Sequence, residues 1–106
     1  DLMRPALYAA YHDILPVKQS QHPKRTYDIA GPVCESGDFL GRNRKLALEQ
    51  GGLLAIMSTG AYGMSMSSNY NTRPRAAEVM VDNGATHLIR ARENVNQLFS
   101  SEKLLP

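Results

Sequence analysis

Asn83-Gly84 stands between two runs of β-forming residues, Glu78–Asp82 and 86–90. Asn and Gly tolerate best the positive φ that both positions of a two-residue turn require, so this pair is the strongest hairpin signal in the chain. Strands joined this tightly lie antiparallel. The polar–apolar alternation of Glu78-Val79-Met80-Val81-Asp82 predicts that the first of them is half-buried.

The remaining segments extend the same picture. Residues 7–17 are mostly apolar, with Tyr8, Tyr11, Ile14 and Val17, and predict a buried strand ended by Pro16. Residues 18–24 are polar, carry Pro23 and predict a loop. Residues 27–33 form another strand-like stretch, interrupted by Gly31-Pro32, and lead into the turn-rich Cys34-Glu35-Ser36-Gly37-Asp38. Residues 43–50 hold helix formers over a short span before Gly51-Gly52. Residues 53–58 (Leu-Leu-Ala-Ile-Met-Ser) are short and apolar, which predicts a fully buried strand, with Gly60-Ala61-Tyr62-Gly63 at its end. Val95, Leu98 and Phe99 at i, i+3, i+4 predict a short helix with an apolar stripe. There is no internal repeat. The sum is a mainly β domain with short helices, a barrel or a sandwich.

Composition sets limits on function. A chain of 106 residues suits one small domain, 1–106, and 42% hydrophobic with 21% charged residues argues against disorder. The net charge is +2 and the cations are scattered, without a run that suggests a nucleic-acid patch. No apolar run approaches a membrane span, and no basic-then-apolar leader opens the chain. The single cysteine, Cys34, cannot form a disulfide within the chain. No Cys or His spacing suggests a metal site; His12, His22 and His87 are far apart. A lone thiol suits a reducing compartment, so a cytoplasmic location is expected.

Three groups of residues are candidates for chemistry. In Cys34-Glu35 a thiol adjoins a carboxylate, and a cysteine serves as nucleophile, as general acid, or simply as a small buried hydrophobe. A carboxylate beside a thiol disfavours the thiolate, which points toward the acid. Pro5 biases Arg4 toward an extended conformation, where residues 4 and 8 share a face. An Arg fork beside the Tyr8 phenol suits a carboxylate. Tyr62, flanked by Gly60 and Gly63, would stand at a strand end with its hydroxyl free to donate, or pack in a core or interface.

Four stretches together carry a resemblance to a known family. They are Met3-Arg4-Pro5-Ala6-Leu7-Tyr8; Gly31-Pro32-Val33-Cys34-Glu35-Ser36-Gly37-Asp38-Phe39-Leu40; Gly60 through Asn71; and Arg73-Pro74-Arg75-Ala76-Ala77-Glu78-Val79. In content, order and spacing they resemble the diaminopimelate decarboxylases, fold-type III enzymes that use pyridoxal 5'-phosphate. The resemblance runs from residue 1 to about residue 92. It implies a (β/α)8 barrel that carries the cofactor and a C-terminal β domain, to which this chain corresponds. The lysine that holds the cofactor covalently belongs to the barrel; Lys18, Lys24, Lys45 and Lys103 are not in its motif. The chain alone is therefore expected to be inactive.

The resemblance also implies roles. Cys34 would be the general acid in the conversion of meso-2,6-diaminopimelate to L-lysine and CO2. Glu35 would contact the substrate ammonium, Arg4 and Tyr8 its distal carboxylate, and Tyr62 both cofactor and substrate. The active site would be shared in a homodimer, Cys34 and Glu35 reaching into the partner subunit. Asp38, Asn69, Arg73 and Arg75 sit in matching motifs without an assigned role. The rivals are related decarboxylases acting on ornithine, arginine or carboxynorspermidine, and a non-enzymatic binding or regulatory module. The ornithine and arginine enzymes usually follow the cysteine with Asp and Gly rather than Glu35-Ser36-Gly37. Their substrates end in a cation that Arg4 would repel, whereas carboxynorspermidine carries a carboxylate.

Overall fold

The computed structural model describes residues 2–106, in two compact units that divide between Ser67 and Ser68. The first unit holds α1 (Arg4–Tyr8), β1 (Ile14–Pro16), β2 (Arg25–Ala30), β3 (Phe39–Leu46), β4 (Leu54–Ile56) and α2 (Gly60–Gly63). The second holds a 3-10 turn (Tyr70–Thr72), β5 (Glu78–Asp82), β6 (Ala85–Arg90) and α3 (Val95–Leu98). The chain is mainly β with a few short helices, as its sequence predicts, and its strands pair as three antiparallel ladders, β1–β4, β2–β3 and β5–β6.

The strand predicted over 7–17 is corrected. Only Ile14–Pro16 is strand, pairing Ile14 with Ile56 and Pro16 with Leu54. Arg4–Tyr8 is a helix with Pro5 in its first turn, where a missing N–H costs nothing, and Ala9 ends it in the left-handed region at φ 51°. His12 is the buried polar side chain between the two elements; its Nδ1–H donates to the Met57 carbonyl at 2.9 Å, which ties this linker to the end of β4. That is a structural histidine.

The helix formers of 43–50 are also overridden, because β3 runs to Leu46. An eight-residue stretch nucleates a helix poorly, and pairing with β2 satisfies its backbone instead. Thr26 pairs with Lys45 and Tyr27 with Arg44, and a bulge follows. At the bulge Asn43 turns to φ 55°, and its N–H donates to Asp28 Oδ1 at 2.7 Å. Leu46 and Ile14 form the buried apolar core among the described residues. Of residues 53–58 only Leu54–Ile56 form a strand, β4, which is half-buried rather than fully buried, and Leu53 is exposed.

In the second unit the hairpin forms as predicted. Asn83 (φ 47°) and Gly84 (φ 79°) both take positive φ, and Asp82 pairs with Ala85. The predicted half-burial is corrected, since Val79, Met80, Val81, Leu88 and Ile89 are all exposed. An ion pair between Glu78 and Arg90 joins the open ends of the two strands. Helix α3 opens with a capping box: Gln97 N–H donates to Asn94 Oδ1 at 3.1 Å, and Asn94 N–H to Gln97 Oε1 at 2.7 Å. Among the described residues no helix is long and apolar enough to cross a membrane.

Candidate functional site

The five candidate residues lie on two short helices and one loop of the first unit. Arg4 and Tyr8 open and close α1, so they share a face through helical i, i+4 spacing rather than through the extended chain expected. Tyr62 lies inside α2, a single turn, rather than at a strand end; β4 stops at Ile56. The Gly63 N–H donates to the Thr59 carbonyl at 2.7 Å and closes that turn. The structure brings Arg4 and Tyr62 together: the guanidinium carbon lies 4.9 Å from the ring centroid, within cation–π range. Tyr62 and Tyr8 are 50% and 65% exposed, so both rings remain open to a ligand.

Cys34 and Glu35 stand on the loop between β2 and β3. Cys34 is exposed, which removes the buried-hydrophobe alternative for this chain. Glu35 Oε1 accepts from the Ser36 hydroxyl at 3.2 Å and from the Gly37 N–H at 3.4 Å, so its carboxylate curls over its own turn. The loop is closed by Asp38, whose Oδ2 accepts from the Val33 N–H at 2.7 Å. At its far end the loop nears α1, where a Cβ built on Gly37 would lie 3.6 Å from the Ala6 Cβ. No hydrogen bond or ring contact joins Cys34 or Glu35 to Arg4, Tyr8 or Tyr62 among the described residues. Arg4, Tyr8 and Tyr62 thus stand on the two helices, and Cys34 with Glu35 on the loop. Elsewhere in this unit, an open groove of ≈ 730 Å³ passes Tyr11, Ile14, Arg42, Arg44 and Leu46.

The second unit contains a polar cluster that sequence reasoning missed. Glu93 Oε2 accepts from the Arg75 backbone N–H and from Asn69 Nδ2, each at 2.7 Å, and Oε1 pairs with Arg75 Nη1 at 3.1 Å. These donors, the Arg75 N–H first among them, hold the Glu93 carboxyl below its ordinary pKa. Asn69 Nδ2 also donates to the Arg73 carbonyl at 3.0 Å. The clasp closes a segment in which Asn71 and Thr72 take φ 56° and 58°. Arg75 and Glu93 are eighteen residues apart, so no local spacing marks the pair. Among the described residues, no three His, Cys, Asp or Glu side chains gather into a cluster that could hold a metal ion.

Comparison with known proteins carries the same blocks further. Over 106 residues the chain is 58% identical to diaminopimelate decarboxylase from Vibrio cholerae and 57% identical to that from Pseudomonas aeruginosa, matching all of this chain but 25% and 26% of theirs. The chain thus spans about a quarter of the length of the curated relatives it matches. Its fold superposes on diaminopimelate decarboxylase from M. jannaschii in co-complex with L-lysine with a TM-score of 0.92 and 44% identity, covering 100% of this chain and 24% of that one. Residues 1–60, which carry Arg4, Tyr8, Cys34 and Glu35, match the family described as "Pyridoxal-dependent decarboxylase, C-terminal sheet domain". With more than half of its length inside that match, the chain belongs to this family of pyridoxal-dependent decarboxylase C-terminal sheet domains.

Proposed function

We propose that residues 1–106 form the C-terminal β domain of a two-domain, cytoplasmic diaminopimelate decarboxylase, which converts meso-2,6-diaminopimelate to L-lysine and CO2. The observation that carries this reading is the Arg4 guanidinium lying 4.9 Å from the Tyr62 ring. It sets a fixed cation beside an exposed phenol, with Tyr8 one turn along the same helix face. Such a set suits a carboxylate far from the reacting carbon, which diaminopimelate has and ornithine and arginine lack.

Tyr62, half exposed and with no hydrogen bond from its hydroxyl among the described residues, is the one of this set suited to pyridoxal 5'-phosphate. The Tyr62 phenol is free to donate to cofactor or substrate, and the remaining contacts fall to the barrel domain. When bound, that cofactor supplies the electron sink for cleavage of the bond to CO2. The residues of this chain do the rest. Arg4 and Tyr8 hold the distal carboxylate and thereby choose which end of the substrate reacts. Glu35 receives the ammonium beside it. The carbon that loses CO2 must gain a proton, and the exposed Sγ–H of Cys34 delivers it.

The resemblance to the decarboxylases implies a homodimer with shared sites, and the lack of any hydrogen bond from Cys34 or Glu35 to Arg4, Tyr8 or Tyr62 among the described residues is compatible with it. In that assembly the loop of one subunit completes the site built by Arg4, Tyr8 and Tyr62 of the other. The exposed Val79, Met80, Val81, Leu88 and Ile89 suit a chain that packs against further protein. The test is CO2 release by the purified full-length enzyme from meso-diaminopimelate, ornithine, arginine and carboxynorspermidine in parallel. Preference for meso-diaminopimelate is expected; preference for any of the other three would overturn the substrate assignment.

A further inference from the structure

We propose that Asp38 is a positioning residue for this reaction: it fixes the loop that presents Cys34 and Glu35, and Gly31 is its steric counterpart. The inference rests on the functional reading above for what the loop does, but not for how the loop is held.

Three hydrogen bonds of the loop converge on one residue. The Val33 N–H donates to Asp38 Oδ2 at 2.7 Å, the Asp38 N–H donates to the Glu35 carbonyl at 2.9 Å, and the Gly31 N–H donates to the Asp38 carbonyl at 2.8 Å. Val33 and Glu35 are the two chain neighbours of Cys34; the Asp38 carboxylate holds the first and the Asp38 backbone N–H the second. The direction in which the exposed Cys34 side chain leaves the loop is then set by a residue four positions away.

The space opposite is equally specific. A Cβ built on Gly31 would lie 2.0 Å from Asp38 Oδ1, 2.2 Å from Oδ2 and 2.3 Å from Cγ, closer than any real Cβ contact. Gly31 is not among the glycines with positive φ, so its backbone conformation does not demand glycine. The demand comes from the Asp38 carboxyl group, which occupies the room a side chain at 31 would need. Asp38 therefore sits in a seat made by a missing side chain on one limb of the loop, and from it holds the other limb.

The experiment uses the full-length enzyme, with kcat and KM for meso-diaminopimelate and the alkylation rate of Cys34 followed by peptide mass spectrometry. Asp38→Ala is expected to lower kcat about 10²-fold, the scale of an ångström-sized misplacement of a reacting group, and to change the Cys34 alkylation rate several-fold. Asp38→Asn retains a side-chain oxygen for the Val33 N–H and should stay within a few-fold of the parent in both readouts. In a Cys34→Ala background, Asp38→Ala should cost little further kcat, because both changes disable one step; a role in general stability would multiply in full. Gly31→Ala, which displaces the carboxylate without removing it, gives a second route should Asp38→Ala not fold. Its loss should shrink when Asp38 is also Ala. Unchanged kcat and alkylation in Asp38→Ala, or full multiplication with Cys34→Ala, would overturn the proposal. Absence of CO2 release from meso-diaminopimelate by the parent enzyme would sink the functional reading instead, and the alkylation comparison would still decide the role of Asp38.

Discussion

Arg4 and Tyr62 lie fifty-eight residues apart, yet the Arg4 guanidinium carbon sits 4.9 Å from the centroid of the Tyr62 ring. The contact links two short helices, one with Pro5 in its first turn and the other closed at Gly63 by the Thr59 carbonyl. No hydrogen bond from the Arg4 guanidinium accompanies this contact among the described residues, and its N–H fork is the part suited to a carboxylate. The phenol it covers remains half exposed.

Arg4→Ala should mainly raise KM for meso-diaminopimelate, by about 10- to 100-fold, the worth of a charge-assisted hydrogen bond, with a smaller change in kcat. Arg4→Lys should recover only part of the loss, because an ammonium lacks the planar fork. Steady-state kinetics of the full-length enzyme check this. An unchanged KM would make Arg4 a packing residue for Tyr62.

Cys34→Ala should leave substrate binding nearly intact and lower kcat by ~10²-fold or more, the usual cost of removing a positioned acid. The exposure of Cys34 means that little packing is lost with the thiol, so the melting temperature should hardly move. Unchanged turnover would refute the acid assignment.

The Glu93 clasp makes a prediction about pH. Its carboxyl is held below the ordinary value of 4.5, chiefly by the Arg75 backbone N–H and then by Asn69. A depressed folded-state pKa means that the clasp stabilises the native state fully above the ordinary value and loses that contribution as pH falls through the lowered one. Glu93→Gln should therefore lower the melting temperature at neutral pH, with a gap that narrows steadily on acidification below that range. Melting curves of parent and variant across acid pH decide it. A gap independent of pH would mean that the charge of Glu93 contributes nothing.

Gly84 turns the β5–β6 hairpin at φ 79°, where an L side chain is strained. No heavy atom lies within 4 Å of a Cβ placed there, so the cost of Gly84→Ala is conformational alone. It should destabilise the folded protein by about 1 kcal/mol, read as a lower melting temperature. An unchanged melting temperature would show that the turn relaxes to another type.

The elements most legible in the sequence are those whose cause is local. Asn83-Gly84 demands its turn whatever surrounds it, and the Val95, Leu98, Phe99 spacing marks α3, whose Asn94/Gln97 capping box is a local signal of the same kind. Illegible were the elements decided by distant partners. Helix formers at 43–50 give way to β3 because β2 satisfies their backbone, and the apolar run at 7–17 divides because Pro5 starts a helix and Ala9 takes φ 51°. Alternation marked the hairpin correctly as strands, but it did not foretell that Val79, Met80, Val81, Leu88 and Ile89 are all exposed. The site residues were legible as types and as motifs, whereas the meeting of Arg4 with Tyr62 and the hold of Asp38 on Val33 required coordinates.

If the loop bearing Cys34 completes the site built by Arg4 and Tyr62 of the other subunit, two impaired variants should rescue each other on mixing, assayed at meso-diaminopimelate well below the KM of Arg4→Ala. Full-length Cys34→Ala and Arg4→Ala enzymes, each weakened alone, would be dissociated, mixed in equal amounts and reassociated. If the sites are shared, half of the dimers pair one subunit of each kind, and one of the two sites in each such dimer is intact; CO2 release should recover to about a quarter of the parent rate. If each site is built from a single chain, no intact site can form on mixing, and activity that stays at the average of the two variants would rule out sites shared between subunits.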